Sequence, residues 1–132
     1  GIRDRSVSRG LGVCIRDRDI RADFEQLHFT GGYDHNYVLG RPGEKKIMAN
    51  AYCRESGIAL EAETDCCGVQ FYAGNFIGEQ TGKGGAAYHD RSAFCLESQF
   101  YPNAVNEPDF PSPVVKAGHT YHTETSYRFY LR

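Results

Sequence analysis

In the segment YHTETSYRF, residues 121–129, Tyr121, Thr123, Thr125, Tyr127 and Phe129 fall on one face of an extended chain, and His122, Glu124, Ser126 and Arg128 on the other. A strict period of two gives no apolar stripe to a helix, so the stretch 121–130 predicts a strand with one buried face. Shorter runs of β-branched and aromatic residues, bounded by turn residues, predict further strands over 34–39, 46–53, 58–64, 68–73 and 94–100. Arg54-Glu55-Ser56-Gly57 reads as a hairpin turn, which makes its flanking strands an antiparallel pair. No stretch sustains a helical period, and the expected fold class is all-β. The glycine-rich connection 74–90 and the proline-rich connection 101–118 exceed the usual loop length, as functional loops or ordered excursions do.

A chain of 132 residues has the length of one ordinary domain, and with no internal repeat or linker it is expected to form a single region, 1–132. Fifteen basic and 17 acidic residues leave a formal charge of −2, with no basic cluster interleaved with aromatics, so nucleic acid is not expected as a partner. No apolar run is long enough to span a bilayer, and GIRDRSVSRG at residues 1–10 lacks the apolar core of a secretory signal. A soluble, cytoplasmic protein without membrane contact is the expectation. Five cysteines at irregular spacing read as free thiols of a reducing compartment. For the adjacent Cys66 and Cys67, opposite faces of a strand are favoured over a vicinal disulfide.

In the 94–100 strand, alternation puts Phe94, Leu96 and Phe100 on one face and Cys95, Glu97 and Gln99 on the other. Glu97 is then either a solvated residue on an open sheet face or a carboxylate held in a cleft for proton transfer. Periodicity leaves both readings open.

Four stretches, in order, resemble the aldose 1-epimerase (galactose mutarotase) family: GGYDHNYVL at 31–39, GVQFYAGNF at 68–76, GKGGAAYHDRSAFCLESQFYPNAVNEPDFPSPVV at 82–115 and GHTYHTETSYRF at 118–129. Four motifs in the correct order are far harder to meet by chance than one. The resemblance implies an antiparallel β-sandwich that interconverts the α and β anomers of hexoses such as galactose and glucose, without a cofactor or metal. It also implies that Glu97 is the general base and that Asp34 and Gln70 bind sugar hydroxyls. The family's general acid, a histidine in an H-x-Y-F-N-L-like strand, and a further upstream histidine and arginine have no counterpart here. The chain resembles the C-terminal portion of the family, so an incomplete part of the sandwich is expected. It would be inactive alone and would associate with itself or with an upstream portion of the same protein. The alternative is a non-catalytic carbohydrate-binding β-sandwich.

Each assignment has an ordinary structural rival. Asp34 suits a turn or helix cap, and Gln70 suits a satisfied polar position in a sheet. Tyr72, Phe76 and Tyr88 are candidates for an apolar wall against the sugar, although core packing is the commoner fate of aromatics. His35 is expected on the face opposite Asp34. His119 and His122 are spaced H-x-x-H without the further ligands that a metal needs.

Overall fold

The computed structural model describes residues 20–132. One short helix, α1 (Glu25–Thr30), precedes eight strands: β1 (Asp34–Val38), β2 (Lys46–Tyr52), β3 (Ile58–Thr64), β4 (Gly68–Tyr72), β5 (Gln80–Thr81), β6 (Ala87–Tyr88), β7 (Cys95–Gln99) and β8 (Thr125–Leu131). They form two three-stranded sheets, ordered β1-β4-β7 and β2-β3-β8, and the small β5-β6 ribbon. The pairings β2–β3, β3–β8 and β5–β6 are all antiparallel, as the all-β reading expects.

The described residues divide into two compact units. One takes Asn36–Val69 and Ser98–Arg132, and the other takes 20–35 and Gln70–Glu97. In the first, the turn after β2 closes as anticipated, with the Cys53 N–H donating to Ile58 O and the Gly57 N–H to Cys53 O, both at 2.9 Å. Gly57 takes φ of 71°, which a side chain would strain. An extra residue in β2 shifts the register between Ile47 and Ala49, and this bulge turns Met48 fully into the core. Hydroxyls tie three strands together: Thr125 Oγ1 lies 3.0 Å from that of buried Thr64 and 2.6 Å from Ser98 Oγ. Cys67, Tyr101 and Ala104 form a second buried cluster with Phe100 and Phe110. Burial pushes both the Cys67 thiol and the Tyr101 phenol above their ordinary pKa values.

Two expectations are corrected here. The strand foreseen from 121 begins only at Thr125, because residues 121–124 are spent on local contacts. The Thr123 hydroxyl and the Glu124 N–H both donate to Asp65 Oδ1, at 2.5 and 2.9 Å, and hold that carboxyl below its usual range. The buried face also fails, since β8 lies at the end of its sheet, with Phe129 68% and Leu131 81% exposed. Cys66 and Cys67 are free thiols, as favoured, but they sit in the turn between β3 and β4 rather than within a strand.

In the second unit, Leu27 of α1 packs with Tyr33 and Ala73, flanked by Ile20, Ala22, Phe24 and Phe71. The helix spans six residues and ends at Gly31, whose φ of 64° stops it. The Gly32 N–H then bonds back to Leu27 O at 2.9 Å. A helix shorter than two turns leaves no period to detect, which explains its absence from the strand-only expectation. The long 74–90 connection carries β5, a 3-10 turn at Lys83–Gly85 and β6, so it is an ordered excursion.

Candidate functional site

Asp34, Gln70 and Glu97 come from β1, β4 and β7, three successive strands of one sheet with β4 in the middle. All three belong to the unit formed by 20–35 and Gln70–Glu97. Their common face follows from the aromatics beside them. Tyr33 and Phe71 rings lie 5.4 Å apart and Phe71 and Phe94 rings 6.1 Å apart, so these three share one side of the sheet. Asp34 follows Tyr33, Gln70 precedes Phe71, and Glu97 lies an odd number of positions beyond Phe94. Alternation therefore turns all three polar side chains to the opposite side. The aromatic side anchors the strands, and the polar side carries the two carboxylates and the amide.

The pair on β1 and β4 is already assembled, with Gln70 Nε2 donating to Asp34 Oδ1 at 2.7 Å. A carboxylate only accepts, so this bond fixes which way the Gln70 amide points. Its Oε1 is buried and has no partner among the described residues. A buried acceptor of this kind costs free energy until a donor reaches it, and a sugar hydroxyl is such a donor. Glu97 is exposed and has no hydrogen bond or ion pair among the described residues.

Asn75 supports this region. It is 5% exposed, and its Nδ2 donates to Tyr33 O at 3.0 Å and Thr30 O at 3.3 Å, clamping the link from α1 to β1. Gly32 has to be glycine beside it, because a Cβ there would lie 2.2 Å from Asn75 Oδ1. Sequence reasoning passed over Asn75, since Gly74-Asn75 after a strand reads as ordinary turn chemistry. The structure also leaves Phe76 largely exposed and Tyr88 partly so, while Tyr72 is half-buried and accepts the Phe76 N–H at 2.9 Å. His35 lies edge-on to Tyr33, on the side expected for it, with ring centroids 6.2 Å apart. His119 and His122 are exposed, and no metal-binding group of three His, Cys, Asp or Glu occurs among the described residues. Likewise, among those residues no helix is long and apolar enough to cross a membrane.

An all-β scaffold with an acidic and amide face on adjacent strands is the setting in which comparison with known proteins is informative. The sequence profile of the aldose 1-epimerase family matches residues 11–128. Galactose mutarotases of Sus scrofa and Homo sapiens are each 44% identical over 106 residues, covering 80% of this chain and 31% of theirs. The aldose 1-epimerase of Escherichia coli is 35% identical over 101 residues, covering 74% of this chain and 29% of its own. The chain belongs to the aldose 1-epimerase family, as the four motifs implied. It spans about a third of the length of these relatives, 31% for the porcine protein.

Proposed function

We propose that this chain supplies the general base and two sugar ligands of an aldose 1-epimerase that interconverts the anomers of hexoses such as galactose and glucose. The observation that carries the reading is the placement of Asp34, Gln70 and Glu97 on one face of three neighbouring strands, with Gln70 held by Asp34 and its buried Oε1 left without a partner among the described residues. In this reaction a base removes the proton of the anomeric hydroxyl while an acid protonates the ring oxygen. The C1–ring oxygen bond breaks to give the open aldehyde. Rotation about C1–C2 and reclosure on the other carbonyl face give the second anomer, and both protons return. Glu97 takes the base role, because β7 fixes its backbone on the polar face and sugar binding would strip part of its carboxylate's water. Asp34 and Gln70 accept hydrogen bonds from sugar hydroxyls and orient the ring. The steps need no cofactor.

The acid is the part that the 132 residues do not offer, since they contain no H-x-Y-F-N-L-like segment. The isolated chain is therefore expected to bind sugar and to turn it over little or not at all. The exposure of Glu97 favours, for the chain alone, the second reading of carbohydrate binding without catalysis. Free thiols at Cys53, Cys66, Cys67 and Cys95 fit the reducing cytoplasm proposed as its setting. Polarimetry on fresh α-galactose tests the reading, together with a galactose titration of the same sample. Binding with a mutarotation rate at the buffer blank is expected. A rate well above the blank would place the acid within these residues, and an absence of binding would remove the sugar site.

A further inference from the structure

We propose that His35 is the positioning residue for Asp34 and acts through one neutral tautomer, with its proton on Nε2. The inference deepens the function proposed above, because it rests on Asp34 as a sugar ligand. The Asp34 N–H donates to His35 Nδ1 at 3.0 Å, and His35 Nε2 lies 3.1 Å from Gln26 O. A backbone N–H can only donate and a carbonyl can only accept, so Nδ1 is bare and Nε2 carries the hydrogen. Both ring nitrogens thus have fixed partners, one at the start of β1 and one in α1.

The chain of contacts runs without a gap to the ligand face. Gln26 O holds the imidazole, the imidazole holds the Asp34 amide, and the Asp34 carboxylate holds Gln70, whose buried Oε1 has no partner among the described residues. The Tyr33 ring meets the imidazole at an interplanar angle of 77° and is itself buried against Leu27 and Ala73, so the ring has little freedom to turn. Asp34 is the first residue of β1, where a strand end would otherwise fray. A residue whose side chain must meet a sugar hydroxyl within a few tenths of an ångström needs its backbone held, and His35 does this from the opposite side of the sheet. An Nδ1-protonated ring would turn N–H against N–H and release it.

The test uses the full chain uniformly labelled with ¹⁵N, in solution or by magic-angle spinning so that association of the sample is immaterial. The expected result is an unprotonated Nδ1, a protonated Nε2, and a through-hydrogen-bond coupling between His35 Nδ1 and the Asp34 amide nitrogen. A proton on Nδ1, or no coupling, overturns the proposal even if no variant folds. In the functional arm, His35→Leu should weaken galactose binding about tenfold, the effect of losing one well-placed hydrogen bond. His35→Asn, whose Oδ1 takes the place of Nδ1, should restore most of it. Equal binding by His35→Leu and the unsubstituted chain overturns the positioning role. Should Asp34→Ala bind galactose unchanged while the tautomer and coupling are as expected, the sugar-ligand reading of Asp34 is what fails, and the positioning role falls with it.

Discussion

Replacing Asp34 by asparagine changes one oxygen to nitrogen on the β1 side of the proposed site and leaves its volume intact. The carboxylate does two things that the amide cannot do together. It accepts hydrogen bonds with a full negative charge, and it forces the Gln70 amide to present Nε2, at 2.7 Å, which leaves the buried Oε1 without a partner among the described residues. In the Asp34→Asn variant either amide can rotate, and the fixed acceptor array becomes a mixture. A hydrogen bond to a charged acceptor contributes about 1.5–3 kcal/mol. At about 1.4 kcal/mol per tenfold, galactose affinity should fall roughly tenfold to somewhat over a hundredfold. Fold stability should change little, since a hydrogen bond between the introduced amide and Gln70 remains available and no cavity opens. The assay is a galactose titration by calorimetry or ligand-observed NMR, paired with a thermal melt of the same variant. Unchanged affinity with an unchanged melt would refute the reasoning, because the charge would then be irrelevant to the ligand.

Glu97→Gln should leave galactose affinity close to that of the unsubstituted chain. In any active assembly containing this chain it should abolish mutarotation by polarimetry, and normal turnover there would exclude Glu97 as the base. Because Gln70 Oε1 can only accept, one deoxyfluoro-galactose in a positional series should lose binding where the corresponding amino sugar keeps it; uniform tolerance of fluorine around the ring would contradict the assigned amide orientation. Met48→Ala removes a fully buried side chain and should destabilise the fold by about 2–5 kcal/mol in urea denaturation, and an unchanged midpoint would show that the bulge is not packed as described. The Asp65 carboxyl is held low by the Thr123 hydroxyl and the Glu124 N–H, so its contribution is present above the unfolded value, about 3.9, and disappears as pH falls through the lower folded value. Asp65→Asn should therefore flatten the acid limb of a stability–pH curve, and identical limbs would count against it. Exposed Phe129 and Leu131 on a terminal strand should drive self-association, and Phe129→Lys with Leu131→Lys should lower light scattering; unchanged scattering would locate the contact elsewhere.

Alternation in the sequence located the strands well, and 58–64 matches β3 at both ends. It works because each strand keeps its own period of two whatever surrounds it. The errors lie where another interaction overrides that period. Residues 121–124 obey it in sequence, yet Asp65 and Cys66 engage Thr123 and Glu124 before β8 begins. For α1 the determinant is Gly31 and the burial of Leu27, and neither stands out in a six-residue window. In the site, resemblance alone singled out Asp34, Gln70 and Glu97. Their shared face became legible only through Tyr33, Phe71 and Phe94, whose contacts join distant segments. His35 was placed on the correct side, but its bond to the amide of its own neighbour leaves no periodic trace.

The unit that holds the three polar residues is stitched from two stretches, 20–35 and Gln70–Glu97, with β2 and β3 made in between. Its defining bonds, Gln70 to Asp34 and Asn75 to Tyr33, join residues 36 and 42 apart in sequence. The β2–β3 hairpin closes across a tight turn and carries almost no such loop entropy, so it can form while the ribosome is still making β4. The proposed sugar site then assembles late in the life of each nascent molecule. Until Gln70–Glu97 emerges, Leu27 and Tyr33 have no Ala73 or Phe71 to pack against. That interval is when the chain is most open to chaperones, proteases and aggregation. Pulsed hydrogen exchange during refolding should record it as protection of Leu60 and Ala62 amides ahead of the Ala73 amide, which waits for Tyr33 O.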